Sequence, residues 1–215
     1  MTTYMVFDEN YERYDKWYKE NHLIALNEAK ALKRSMREYT PQPCLEVGVG
    51  TGWFASRIDC TLGLDPSINM LQKARSRGIE AIQGVGERLP IRTGSLGSLV
   101  IIVTLCFAEN PTLILRESHR SLRRNGIIVA CIVPRDSEWG HYYIELAKRG
   151  HTFYSLARFY TVDEVKDLME TTGFHVEEVI GTLTFGPGEE PVPENPRPYT
   201  GDEGFACIRG VKKGG

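Results

Sequence analysis

Five short apolar runs, alternating with three stretches of helical spacing, constrain this 215-residue chain more than anything else in it. They are CLEVGV (44–49), TLGLD (61–65), EAIQG (80–84), SLVIIVTLCF (98–107) and GIIVACIVP (126–134). The longer runs are β-branched and apolar throughout instead of alternating, as expected of strands covered on both faces. Between them lie GWFASRI (52–58), INMLQKARSRG (68–78) and PTLILRESHRSLRRNG (111–126), read as helices, the last terminated by Asn125-Gly126. That alternation predicts an α/β chain with a mostly parallel sheet and helices on both sides. Two later runs, HVEEVIG (175–181) and FACIRGVKK (205–213), are expected to form an antiparallel pair at one sheet edge.

The remaining segments are helical or connecting. Phe7, Tyr11, Tyr14, Trp17 and Tyr18 recur every three or four residues, an aromatic stripe on an N-terminal helix. A second helix is expected from His22 to Tyr39, its apolar positions Leu23, Leu26, Ala29, Ala31 and Leu32, before Thr40-Pro41-Gln42-Pro43 breaks it. Residues 134–160 are dense in aromatics (Trp139, Tyr142, Tyr143, Phe153, Tyr154, Phe159, Tyr160) and read as a lid or as a helix pair packing its own core. The Pro/Gly/Glu-rich stretch 182–204 is a long connection of the functional or mobile kind. The chain is therefore expected to be one domain: a helical cap (1–40), a ligand-binding core (41–134), a lid (135–172) and edge strands (173–215).

Composition narrows the class. A net charge of −2 leaves no large basic face, which disfavours a dedicated nucleic-acid binder. No apolar run reaches the roughly 18 residues that span a bilayer, and the acidic-aromatic N-terminus does not read as a signal peptide. Cys44, Cys60, Cys106, Cys131 and Cys207 are scattered, odd in number and free of any CxxC spacing. They are expected as buried thiols in a reducing, cytoplasmic setting, with neither a zinc site nor a disulfide framework.

The chemical signal is Leu45-Glu46-Val47-Gly48-Val49-Gly50-Thr51-Gly52, at the end of the first strand and the start of a helix. Glycines there let the backbone turn sharply and approach a ligand without a Cβ clash, at the strand ends where open α/β sheets bind. Asp65 closes the next strand, placed to accept from both hydroxyls of a ribose. A dinucleotide fingerprint requires Gly or Ala where this chain has Trp53, and no phosphate-binding G-x-x-x-x-G-K-[ST] occurs. Glu46 suits a cationic or amino-bearing ligand better than a pyrophosphate.

These residues resemble the class I S-adenosylmethionine-dependent methyltransferases, in particular the methyltransferase type 11 group. LEVGVGTG resembles that family's cofactor loop, GLDPS (63–67) its ribose-binding strand end, GVGERLPI (84–91) its adenine-side segment, and RESHRSLRRNGIIVA (116–130) the helix-turn-strand after the fourth strand. The resemblance implies a Rossmann-like, doubly wound, mostly parallel seven-stranded sheet with an antiparallel edge hairpin, N-terminal helices and a helical lid insertion. It implies S-adenosylmethionine as cofactor, with Glu46, Gly48, Gly50 and Gly52 at its methionine end and Asp65 on the ribose. Pro66, Ser67 and Met70 would flank ribose and adenine, Gly86 and Glu87 would serve the adenine side, and Thr104 and Leu105 would line the cofactor mouth. Tyr14, or Tyr11, would reach the cofactor carboxylate. Where the family places an adenine-accepting Asp, this chain has Val85.

The acceptor is expected to be a small molecule methylated at N, O or S, mainly through proximity. Thr104-Leu105-Cys106-Phe107 is not the Asn/Asp-Pro-Pro-aromatic sequence of amino-methylating DNA enzymes, and no carboxylate set for magnesium stands there. His141 and His151 are candidate bases and Cys106 a candidate nucleophile, each against a plain packing role. The rival readings are a protein or RNA methyltransferase using the clusters Lys30/Lys33/Arg34/Arg37 and Arg116/Arg120/Arg123/Arg124, and a non-catalytic cofactor-binding partner subunit. No membrane partner is expected, and the oligomeric state is open.

Overall fold

Each apolar run from 44 to 132 becomes a strand whose alternate side chains enter two different cores. The computed structural model describes residues 3–37 and 39–213. Its strands are β1 (Cys44–Val47), β2 (Leu62–Asp65), β3 (Glu80–Gln83), β4 (Leu96–Ile102), β5 (Leu122–Ile132), β6 (Phe174–Thr182), β7 (Arg197–Pro198) and β8 (Phe205–Lys212). They form one sheet in the order β3-β2-β1-β4-β5-β8-β6-β7. The first five are parallel, and β8 lies antiparallel between β5 and β6. Leu45, Val47, Leu99, Ile101 and Ile128 face one apolar layer, whereas Cys44, Val100, Ile102 and Val129 face the other. The strand order reverses between β1 and β4, so a crevice opens at their carboxyl ends.

The helices are α1 (Thr3–Glu9), α2 (Tyr11–Glu20), α3 (His22–Ser35), α4 (Ile68–Ser76), α5 (Pro111–Ser121), α6 (Glu138–Lys148) and α7 (Val162–Thr171). The starts of α4, α5 and α7 are chemically marked. Ser67 Oγ accepts from Met70 N (3.1 Å) at α4, Asn110 Oδ1 accepts from Leu113 N (3.1 Å) at α5, and Thr161 with Glu164 forms a capping box at α7. Among the described residues no helix is long and apolar enough to cross a membrane.

The sheet has eight strands, not seven, because Arg197 and Pro198 add a two-residue edge strand beside β6. Residues 52–58 make only the short 3-10 turn Ala55–Arg57. The segment expected as a helix to Gly126 stops at Ser121, because Leu122 is drawn into the core opposite Leu96, and Asn125 (φ +59°) turns inside β5. The second N-terminal helix ends at Ser35, not Tyr39. Its buried stripe runs through Ile24, Glu28 and Leu32, while Leu23 is 38% exposed.

The cysteine expectation is overturned. Cys44 pairs with Cys60 and Cys131 with Cys207, with only Cys106 free. Residues far apart in sequence are neighbours in the sheet: Cys131 and Cys207 stand opposite each other across β5 and β8. Cysteine usage therefore lends no support to a reducing compartment.

The 182–204 connection is held by polar contacts. The Glu194 carboxylate accepts from the backbone N–H of Leu183 (2.7 Å) and Thr184 (2.9 Å), and the buried Glu203 from Arg197 (2.7 Å) and Thr200 N (3.0 Å). Asn27 on α3 exchanges hydrogen bonds with Val192 O (2.8 Å) and Glu194 N (2.9 Å), binding the segment across that helix.

Candidate active site

At the carboxyl ends of β1, β2 and β4 the chain encloses a cavity of about 300 Å³. Its floor is the glycine loop. Gly48 (φ +71°) and Gly50 (φ +50°) adopt left-handed backbone that favours glycine, and a Cβ on Gly48 would lie 2.3 Å from Thr104 Oγ1. Tyr14 roofs the loop, its ring 3.4 Å from where a Gly50 Cβ would sit. Asp65 knits loop and strand together: Oδ2 accepts from Gly50 N (2.9 Å) and Oδ1 from Ser67 N (2.9 Å). Burial, at 8% exposure, pushes its carboxyl up to about 6, with those two bonds opposing and Asp8 adding to the rise.

Asp8, on α1, is a residue that the sequence did not flag. It accepts from Ser67 Oγ (2.6 Å) and Asn69 N (3.1 Å), anchoring the cap onto the start of α4. Asp15 ties α2 to the opposite end of α4, paired with Arg77 (2.7 Å) and Lys73 (3.7 Å). These contacts hold the N-terminal helices over the crevice.

A second cavity of about 550 Å³ adjoins the first, and Phe7, Tyr14, Val103 and Phe107 line both. The dividing wall is a packed aromatic group: Phe7 meets Phe107 at 4.9 Å between centroids and stacks on Phe153 at 5.0 Å. The second chamber is built from α2, α3, α6 and residues 151–159, closed at one side by Pro187–Pro191. Glu28 enters it from α3, and burial pushes that carboxyl up to about 8.

Most of the expected cofactor residues meet here. Tyr14, Gly48, Gly50, Asp65, Pro66, Met70, Gly86, Glu87 and Thr104 all line the first cavity. Val85 lines it too, 46% exposed and offering no side-chain acceptor. Glu46, Gly52 and Leu105 line neither cavity. Glu46 is buried, bonded to the backbone of Ala55, and its Oε2 has no partner; burial raises its carboxyl well above the usual range. Gly52 packs against α4, where an added Cβ would meet Ala74 Cα at 3.1 Å. Leu105 is fully buried core. Tyr11 lines neither cavity, and its hydroxyl donates to Glu12 (3.2 Å).

The three candidates for chemistry separate. Cys106 lines the second cavity, but burial pushes its thiol up to about 12, so it is not a thiolate at neutral pH. His151 also lines it, its ring stacked on Tyr154 at 4.4 Å and its Nδ1 accepting from Phe153 N (3.3 Å). Burial, reinforced by Arg13, lowers its pKa. His141 is exposed on α6 and lines neither cavity. Val103, Phe107 and Glu28 were not singled out from sequence. Glu28 carried a readable signal, standing four residues from both Ile24 and Leu32 on the buried stripe.

Known proteins of similar sequence and shape agree with this geometry. The methyltransferase domain family matches residues 45–130. A crystal structure from Thermotoga maritima, described as a SAM-dependent methyltransferase and possible histamine N-methyltransferase, is 31% identical with a TM-score of 0.90, covering 98% of this chain and 100% of that one. An uncharacterized protein of Methanocaldococcus jannaschii is 40% identical over 169 residues, 79% of this chain and 80% of that protein. One of Mycobacterium tuberculosis is 40% identical over 177 residues, 81% of this chain; the match spans 62% of that protein's length. A glycine cradle that a Cβ would fill and a carboxylate at the end of β2 fit a nucleoside that carries an amino acid on its ribose. With that match of site and fold, the chain belongs to the S-adenosylmethionine-dependent methyltransferases, in the methyltransferase type 11 group.

Proposed function

We propose that this methyltransferase acts on N, O or S of a small molecule held in the second cavity. The observation that carries the reading is the shared wall: Phe7, Tyr14, Val103 and Phe107 touch both chambers. The cofactor supplies a methyl group already activated on a sulfonium, which needs in-line approach by a lone pair at about 3 to 3.5 Å. What the chain must add is position and exclusion of water, and two adjoining chambers lined by aromatics do both.

In this reading Gly48 and Gly50 admit the methionine end against bare backbone, with the buried Glu46 carboxyl beneath the loop. Asp65 takes the ribose hydroxyls. Pro66, Met70, Val85, Gly86 and Glu87 border the adenine, which must be read through backbone groups because the Val85 side chain cannot accept. Tyr14 packs over the reacting centre from α2. His151 is the candidate to take up a proton where the acceptor starts protonated.

The macromolecular rival is weakened by how the basic clusters are used. Lys30 donates to Glu194 O (3.1 Å), Arg34 to Pro196 O, and Arg37 pairs with Glu177 (2.9 Å). Arg120 pairs with Glu117 (2.8 Å) and donates to the carbonyls of Leu89 (3.0 Å) and Ile91 (2.8 Å). These four side chains tie the fold together, whereas Arg116, Arg123 and Arg124 stand exposed. The description of the Thermotoga relative as a possible histamine N-methyltransferase fits a small acceptor as well.

The test is to incubate the full chain and methyl-labelled S-adenosylmethionine with a cell extract, then separate small molecules from protein and RNA. Label in the low-molecular-weight fraction is expected. Label confined to protein or RNA would overturn the reading.

A further inference from the structure

Glu28 is a buried acid without a partner. It is 7% exposed, it lines the second cavity, and no hydrogen bond or ion pair among the described residues reaches it. An acid set in an aromatic-lined chamber with no side-chain or backbone partner leaves a polar group for a ligand to complete.

The surroundings say what that something is. Besides Glu28, the acids lining the chamber are Glu20 and Glu189; its only arginine or lysine is Arg13, whose Nη1 donates to Thr152 Oγ1 (3.1 Å) on the exposed side. The chamber is thus biased toward negative charge. Tyr18, Tyr143 and Tyr154 stand close enough to Glu28 for its charge to raise their hydroxyl pKa values, and the rings of Tyr143 and Tyr154 are 4.3 Å apart. An acid that shares its chamber with these aromatic residues suits an organic cation: a bound cation favours the charged form of Glu28, which then offers a charge-assisted hydrogen bond, and the rings offer cation–π contact and apolar surface.

We propose that the methyl acceptor is a small organic amine that enters the second cavity as a cation, with Glu28 as its counter-ion and Tyr18, Tyr143 and Tyr154 around it. The nitrogen gives up a proton, for which His151 is the acceptor, and its freed lone pair then takes the methyl group as the methyl–sulfonium bond breaks and S-adenosylhomocysteine leaves. This rests on the small-molecule reading above and narrows it to one chemical class. A neutral alcohol of the same shape would leave Glu28 uncompensated. A carboxylic acid would bring its negative charge beside Glu20 and Glu189 and give Glu28 nothing to pair with. Glu28 acts here as a binding and positioning group; the proposal assigns it no bond-making step.

The test uses the full chain loaded with S-adenosylhomocysteine and three amines: phenethylamine, histamine and cyclohexylamine, each beside its alcohol and carboxylic acid counterparts. Ligand-observed NMR reads binding, and calorimetry quantifies it. At least one amine is expected to bind, with its alcohol and acid at least about 30-fold weaker, and Glu28→Gln is expected to remove that preference, lowering amine affinity about 30-fold or more. S-adenosylhomocysteine affinity should be unchanged in the variant, which also reports that it folds. The wild-type comparison of amine against isostere stands without the variant. If alcohols or acids bind as tightly as amines, or Glu28→Gln leaves amine affinity intact, the amine proposal fails while the small-molecule reading stands. If no compound binds although S-adenosylhomocysteine does, both fall.

Discussion

Replacing Glu28 by Gln should stabilise the protein at alkaline pH and do little in acid. Burial raises the Glu28 carboxyl from its ordinary 4.5 to about 8. Its folded pKa therefore lies above its unfolded one. The folded chain keeps a proton that the unfolded chain gives up, so stability is fully present below about 4.5 and is lost as pH rises through about 8. At about 1.4 kcal/mol for each pH unit, that interval sets a ceiling of about 5 kcal/mol on the alkaline penalty. Water in the chamber beside Glu28 screens part of it, leaving roughly 2 kcal/mol or more. Glutamine has the same shape and no charge to bury. For a chain of this length roughly 2 kcal/mol corresponds to about 4–8 °C. Thermal unfolding of both proteins at pH 5, 7 and 9 should show a gap in Tm that is small at pH 5 and widens to that size by pH 9. Other titrating groups are common to both chains and cancel in the difference. A gap that stays constant across this range would refute the assignment of Glu28 as an unpartnered buried acid.

Other perturbations probe the glycine loop, the cap, the disulfides and the lid separately. Gly48→Ala forces a side chain into left-handed backbone, at about 1–2 kcal/mol, and into Thr104; calorimetry should show S-adenosylhomocysteine affinity reduced at least about tenfold. Asp8→Ala removes the acceptor that ties α1 to the start of α4, so unfolding free energy should fall by about 1 kcal/mol and cofactor binding should weaken with it. Thiol titration of the unfolded, unreduced chain should find one thiol, Cys106. Reduction should then cost about 4 kcal/mol of stability from the Cys131–Cys207 bridge alone, whose partners are 76 residues apart; five titrating thiols before reduction would contradict the pairing. His141→Ala should leave turnover unchanged, because that side chain is exposed and borders neither chamber.

What could be read from sequence was whatever depends on local pattern. Unbroken apolar runs gave the parallel strands, and Gly48 and Gly50 with Asp65 located the cavity proposed for the cofactor, because a glycine turn after a strand and an acid at the next strand end are adjacent in any such sheet. Contacts between distant segments were not legible in this way. Nothing about Cys131 and Cys207 signals that β8 inserts beside β5, so their pairing had no local trace. Asp8 looks like a surface acid of an N-terminal helix until that helix is laid across α4. Leu122 was read as helical because its spacing continues that of α5, yet burial opposite Leu96 outweighs that preference. Glu46 shows the limit in the other direction: the residue is where the family pattern puts it, but its side chain turns beneath the loop to Ala55 instead of into the cavity.

The most direct test of the cofactor site is calorimetric titration of the full chain with S-adenosylmethionine, S-adenosylhomocysteine and NAD, repeated on Asp65→Ala. Micromolar binding of both adenosyl compounds and none of NAD is expected, with affinity falling roughly 10- to 100-fold when the carboxylate proposed for the ribose is removed. Absence of binding by either adenosyl compound, or an affinity that Asp65→Ala leaves untouched, would contradict the site described.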